Sequence, residues 1–334
     1  MTDGVVAADA AGLRRAAELL RQESVCAFPT ETVYGLGAHA FSAKAVAEVY
    51  RLKRRPSWNP LIVHVASAAD AEALAHTWPE AARLLAERFW PGPLSLVVER
   101  AHHLPANGGP ATVAVRVPAH PVALALLEEC GLPLAAPSAN RSESISPTTA
   151  EHVIRSLPDV PLVLDGGPCR LGIESTVVDV TVSPPRLLRP GALSLRAIRD
   201  VVGALRLPGD DGPGESPAAG VRSPGLAHRH YAPRARLLLV DDPALLAERA
   251  EDADPGTLGI LTHHPTAPPG AHVELLSADP LEYAADLYAA LHRLDDAGVT
   301  TILAQTPPGG DDWLAVRDRL TRASAAETGT AATA

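Results

Sequence analysis

The residues best equipped for chemistry in this chain are cations and hydroxyls set beside prolines. Lys53 is one of only two lysines, the other being Lys44, in a chain otherwise rich in arginine. It opens Lys53-Arg54-Arg55-Pro56-Ser57-Trp58-Asn59-Pro60, which leads into an apolar strand expected over 61–65. An ammonium is a compact point charge and a guanidinium a planar fork, so the two differ wherever phosphate or carboxylate is held. Pro56 and Pro60 fix their own φ and push Arg55 and Asn59 toward extended backbone. The stretch reads either as an anion cradle of cations and one amide, or as a solvated basic turn.

Other stretches carry similar potential. Pro29-Thr30-Glu31-Thr32-Val33-Tyr34 gathers two hydroxyls, a carboxylate and a phenol at the end of an expected strand, a common ligand position in α/β sheets. A decorated turn, with Gly35 and Gly37 supplying φ freedom, is the plain alternative. Arg116 lies in the alternating run Thr112-Val113-Ala114-Val115-Arg116-Val117, on the face it shares with Thr112 and Ala114. There it must meet either an internal carboxylate or that of a ligand. Ala136-Pro137-Ser138-Ala139-Asn140 and the hydroxyl-rich residues through Ser146 and Thr148 follow a buried strand. Such side chains, with the N–H groups of a turn, can hold phosphate oxygens without a lysine loop. Arg189 precedes Pro190-Gly191, again a fork on stiff backbone. His228, Arg229, His230 and Tyr231 stand between prolines in a long linker, more than a tether requires, and such loops often serve as lids.

The elements that must position these groups alternate between strand and helix. Helices are expected over 10–22, 42–51, from Ser67, over 80–89, 121–129 and from Ser194, with strands at 25–28, 61–65, 94–99, 112–117, 134–136 and 162–164, another entered within 172–179 and one more ending over 187–191. From about 207 to 233 the composition turns to Pro, Gly, Asp and Ser, the signature of a linker. Beyond it, four short strands alternate with helices, predicting a small α/β unit with a parallel sheet.

Composition narrows the classes. A chain of 334 residues with 46% apolar content suggests about two soluble domains. A net charge of −10 argues against a protein that mainly coats nucleic acid. Three cysteines without Cys-x-x-Cys spacing indicate neither a disulfide framework nor a thiolate zinc site. No metal ligand is assigned among the side chains, and no phosphate-loop or dinucleotide fingerprint is present. The absence of a basic start followed by an apolar block gives no signal peptide, so a cytoplasmic location without membrane contact is expected.

Taken together, the motifs resemble the threonylcarbamoyl-AMP synthase family in its long form. The resemblance rests on FPTETVYGLG at 28–37, KRRPSWNPLIVHV at 53–65, WPGPLSLV at 90–97, TVAVRVPAHP at 112–121, APSANRSESISPT at 136–148, LDGG with GIESTVVD across 164–179, LLRPG at 187–191 and SPGLAHRHYAP at 223–233. It implies an α/β fold: a YrdC-like (DHBP synthase-like) curved mixed sheet around a basic cavity over 1–206, a lid-like linker over 207–233, a smaller Rossmann-like domain over 234–322 and a disordered tail over 323–334. It implies a nucleotidyltransferase that converts L-threonine, bicarbonate and ATP, with Mg2+ accompanying ATP, into L-threonylcarbamoyl-adenylate and pyrophosphate. That is the first step toward N6-threonylcarbamoyladenosine in tRNA, completed by a partner transferase, with weak contact to tRNA or double-stranded RNA also conceivable.

Carried over by the resemblance, the threonine site falls on Thr32, His64, Arg116 and Ala136, and the ATP site on Arg55, Asn59, Thr112, Ser138, Ser146, Arg189, His230 and Tyr231. Lys53, Arg55, Ser138 and Asn140 form the implied catalytic set. The linker departs from the family pattern at Leu226-Ala227-His228, where Met-Lys-Tyr is usual. Rival readings are a double-stranded RNA-binding module, a non-catalytic translation factor, and a carbamoyl-phosphate adenylating enzyme. The last would carry zinc-finger and acylphosphatase-like parts that this sequence lacks.

Overall fold

The computed structural model describes residues 4–105, 111–208, 210, 230–251, 254–264 and 271–325. Most of the 207–233 segment, with Leu226, Ala227 and His228, lies outside the described residues, as does the chain beyond 325. Two compact units are present: Met1–Ser142 with Ser146–Pro224, and Glu143–Ile145 with Gly225–Ala334.

The first unit runs β1 (Val5–Ala7), α1 (Ala10–Arg21), β2 (Val25–Phe28), β3 (Gly35–His39), α2 (Ala43–Lys53), β4 (Ile62–His64), α3 (Ala68–Ala73), α4 (Glu80–Phe89), β5 (Leu94–Glu99) and β6 (Thr112–Arg116). It continues through α5 (Pro121–Cys130), β7 (Leu134–Ala135), α6 (Ala150–Ser156), β8 (Val163–Asp165), β9 (Thr176–Asp179), β10 (Arg186–Arg189) and α7 (Leu195–Val202). Ten strands form one mixed sheet in the order β1-β8-β2-β3-β7-β4-β6-β5-β9-β10. Its centre places β4 between β7 and β6, with His64 opposite Arg116 on one side and Leu134 on the other.

Local chemistry starts and stops these elements where the sequence suggests. Asp9 accepts from Ala11 N and Gly12 N at the start of α1, Ser42 caps α2 and Ser67 caps α3, each satisfying amides that a helix start leaves open. Gly12, Ala16, Ala17 and Leu20 form the buried stripe of α1, which packs with α5 over Phe28, Leu126, Leu134, Leu162 and Leu164.

Two expectations are corrected. Gly35 and Gly37 belong to a strand rather than a turn, and neither has positive φ. Their missing side chains serve packing instead: a Cβ on Gly37 would meet the Phe28 ring at 2.7 Å. Helix α2 runs through Lys53, and Arg54 ends it in the left-handed region at φ 50, turning the chain so that Arg55 points inward. The three-residue strand β1 was not foreseen and pairs in parallel with β8.

The second unit contains β11 (Arg236–Val240), α8 (Pro243–Glu251), β12 (Leu258–Thr262), β13 (His272–Leu275), α9 (Pro280–Asp296), β14 (Thr301–Gln305) and α10 (Leu314–Ser324). Its four strands are all parallel, in the order β11-β14-β12-β13, around Val240, Leu246, Leu258, Ile260 and Leu303. No described helix is long and apolar enough to cross a membrane.

Candidate active site

Arg116 ends β6 in the middle of the large sheet and is 3% exposed. Its Nε donates to Gly92 O at 3.2 Å, Nη1 to Thr32 Oγ1 at 3.1 Å and Nη2 to Glu31 Oε1 at 2.7 Å. Of the five N–H groups of a guanidinium, two remain for a ligand. Thr30 Oγ1 donates to Val33 O at 2.6 Å, so the hydroxyl proton of Thr32 is the one shared in the 2.8 Å contact between the two threonines. Thr32 thereby keeps acceptor capacity only. Both readings of Arg116 meet here: it has an internal carboxylate, and donors to spare.

Two atoms in this cluster are buried without a hydrogen-bond partner, Glu31 Oε2 and His64 Nδ1. An unsatisfied buried polar group costs about 1–3 kcal/mol, more when charged, so a pair of them beside one arginine marks a place a polar ligand would stabilise. Burial first, and the Arg116 charge second, lower the His64 pKa to about 3. The ring is therefore neutral at physiological pH and can both donate and accept. Ala136 follows β7 with its N–H bonded to Ile62 O, beside these strand ends.

The segment carrying Thr32 is tied to a second set of buried groups. Tyr34 N donates to Pro147 O, Ala139 N to Tyr34 O, and Gly35 forms a bridge with Ser138. Lys53 is 1% exposed and donates from Nζ to Ser138 O and to Asn140 O, while its own carbonyl accepts from Ser142 N. Burial, then the neighbouring Arg55 charge, push the Lys53 ammonium well below the usual lysine range, with Glu174 opposing. Arg55 donates to Asn59 Oδ1 at 2.6 Å and to the carbonyls of Asn59 and Pro60, which holds the Pro56–Pro60 loop closed. The stretch divides between the two readings: Lys53, Arg55 and Asn59 are buried, while Arg54, Pro56, Ser57 and Trp58 are exposed. Thr112, at the start of β6, is half-buried.

Ser146 Oγ donates to Glu174 Oε1, and Arg189 grips Ser175 through its carbonyl at 3.0 Å and its hydroxyl at 3.2 Å. Ser95 and Ser175 hydroxyls lie 2.8 Å apart, joining β5 to this loop. Lys53, Arg55, Arg116 and Arg189 are buried basic groups in the first unit, against the carboxylates Glu31, Glu174 and Asp179. Three of these are arginines, whose forks suit an anionic ligand.

His230 and Tyr231 belong to the second unit. Tyr231 stacks on Tyr288 at 5.8 Å, with the Arg319 guanidinium 4.9 Å above its ring and His230 4.0 Å away. The structure therefore gathers Thr32, His64, Arg116 and Ala136 in one cluster. Lys53 joins Ser138 and Asn140, Arg55 joins Asn59, Ser146 joins Glu174 and Arg189 joins Ser175, all within the first unit, while His230 and Tyr231 pack in the second.

The chain as a whole resembles known proteins. A family described as telomere recombination matches residues 18–191, and the threonylcarbamoyl-AMP synthase C-terminal domain matches 193–325. A threonylcarbamoyl-AMP synthase of Pyrococcus abyssi is 42% identical over 326 residues, covering 93% of this chain and 94% of its own. That of Bacillus subtilis is 40% identical, covering 93% and 92% respectively. The chain belongs to the threonylcarbamoyl-AMP synthase family. The structure of Pyrococcus abyssi Sua5 complexed with L-threonine superposes with a TM-score of 0.85 at 41% identity, covering 93% of this chain and 94% of that one.

Within this threonylcarbamoyl-AMP synthase fold, the sequence placed the Glu31 carboxylate at a strand end but assigned no role to it or to Glu174. Their local signal is a glutamate beside threonine or serine immediately after a buried strand or turn. Only the fold shows that an arginine 85 positions away in sequence closes on Glu31.

Proposed function

We propose that the chain forms L-threonylcarbamoyl-adenylate and pyrophosphate from L-threonine, bicarbonate and ATP, a nucleotidyl transfer. The observation that carries this reading is the Arg116 cluster. It offers two spare guanidinium N–H groups, an acceptor hydroxyl on Thr32, a neutral imidazole and one unpartnered carboxylate oxygen. That inventory matches an amino-acid carboxylate, a side-chain hydroxyl and an ammonium, which together describe threonine.

In this reading the amine of threonine and bicarbonate give a carbamate, and a carbamate oxygen attacks the α-phosphorus of ATP as pyrophosphate leaves. Lys53, Arg55 and Arg189 hold the phosphates, with Ser138, Asn140, Ser146, Asn59 and Thr112 completing the nucleotide contacts. Fixing two anions in line supplies most of the rate, and the cations stabilise charge that builds on the phosphate oxygens. Among the described residues no group of three or more His, Cys, Asp or Glu side chains could hold a metal ion. In this reading Mg2+ enters with the triphosphate as part of the substrate. A transferase acting on tRNA would consume the adenylate.

The test is incorporation of carbon-labelled bicarbonate into a product carrying both threonine and AMP, detected by mass spectrometry. A labelled adenylate supports the reading; AMP transfer to threonine without labelled carbon contradicts it.

A further inference from the structure

We propose that Glu31 is the general base that deprotonates the substrate ammonium before carbamate formation, an inference that rests on the threonine, bicarbonate and ATP reading above. Its carboxylate is divided between two tasks. Oε1 is fixed by Arg116 Nη2 at 2.7 Å, and Oε2 is buried with no partner. The backbone is held as well, since Glu31 O accepts from Leu171 N. In an α-amino acid the ammonium nitrogen is two bonds from the carboxylate carbon. A carboxylate received by the spare N–H groups of Arg116 therefore brings its ammonium to the side chain that shares that guanidinium.

The other titratable groups facing this place are poor bases for the step. His64 on β4 is buried opposite Arg116, so a proton there would create a second buried cation beside that guanidinium, whereas a proton on a carboxylate creates none. Cys169, after β8, has its thiol pushed up to about 12 by burial, and the phenol of Tyr34 donates to Gly167 O at 2.7 Å. His120, at the start of α5, is lowered by burial, with Glu31 opposing, and its Nδ1 accepts from Val122 N. Arg116 is a permanent cation. Glu31 Oε2 is the anionic acceptor in the cluster that lacks a proton donor.

The step balances as follows. One ammonium proton passes to Glu31 Oε2, leaving the neutral amine with its lone pair. The amine attacks the bicarbonate carbon, forming the C–N bond. A second N–H proton departs with the bicarbonate hydroxyl as water when the C–O bond breaks, leaving the carbamate anion. Glu31 returns its proton to solvent after the product leaves, and the pair with Arg116 is restored.

The test compares the full-length wild type with Glu31→Gln and Glu31→Asp, following threonine- and bicarbonate-dependent pyrophosphate release between pH 6.5 and about 9. Glutamine retains an oxygen for Arg116 but cannot take the proton. Loss of a general base predicts a fall of roughly 100-fold or more near pH 7. It also predicts that the Glu31→Gln rate climbs about tenfold per pH unit as free amine becomes available from solution, while the wild-type rate stays nearly flat. Glu31→Asp should be slower than wild type with a flat profile, and it keeps the test alive if the glutamine variant does not fold. An equal loss at every pH in folded Glu31→Gln, or a climbing profile in Glu31→Asp, would overturn the assignment and leave Glu31 as a positioning residue for Arg116. Wild type that releases no pyrophosphate with both substrates would instead sink the functional reading itself.

Discussion

Arg116 and Glu31 form an ion pair of 2.7 Å whose two side chains are each 4% exposed, at the centre of a ten-stranded sheet. A buried pair gains little over an apolar one, yet removing one member leaves an uncompensated charge, typically at a cost of about 3–5 kcal/mol. Arg116→Ala should therefore lower unfolding stability by about that amount in urea titrations. Arg116→Lys should fold better but raise the KM for threonine by roughly 10- to 100-fold, because a point charge replaces the fork. A lysine variant with unchanged threonine KM would remove Arg116 from the amino-acid site.

Lys53 is expected to be irreplaceable. Its ammonium is locked by two carbonyls, of Ser138 and Asn140, in a pocket already crowded by Arg55. Lys53→Ala should abolish adenylate formation, and Lys53→Arg should fail to restore it, since a longer planar fork does not fit a site built around one compact donor. Near-wild-type turnover in Lys53→Ala, measured by pyrophosphate release, would contradict the assignment.

His64 predicts an acid-side stability slope. The folded state keeps it neutral down to about pH 3, whereas the unfolded chain protonates it near 6.5. Between those values the unfolded state holds the extra proton, so the contribution is complete above about pH 6.5 and lost as pH falls toward 3. The slope is at most about 1.4 kcal/mol per pH unit. Urea unfolding of His64→Gln from pH 4 to 7 should show a pH dependence flatter by up to one proton than wild type.

Gly37 predicts a packing failure that reaches the site. A Cβ there meets the Phe28 ring at 2.7 Å, and β3 directly follows the segment holding Glu31 and Thr32. Gly37→Ala should lose about 1–3 kcal/mol by overpacking. Its melting temperature should fall together with its threonine affinity.

Much of this was legible in the sequence, because the cations and hydroxyls sit at strand ends beside Pro and Gly. Helix α4 and strand β5 fall where periodicity placed them. What escaped was non-local. Glycine-rich 35–39 looks like a turn by propensity, and only the need to seat Phe28 makes it a strand. Strand β1 has three residues, too few for a period, and exists through its pairing with β8. A glutamate is ordinarily a surface residue, so the burial of Glu31 and Glu174 emerges only when a distant strand delivers Arg116 to one and a distant loop delivers Ser146 to the other.

The most direct measurement is pyrophosphate release from Mg2+–ATP by the full-length protein, with L-threonine and bicarbonate added separately and together. The account predicts release only when both are present, and little with serine at equal concentration. Release that is indifferent to threonine or to bicarbonate, or none with both present while ATP still binds, would contradict it.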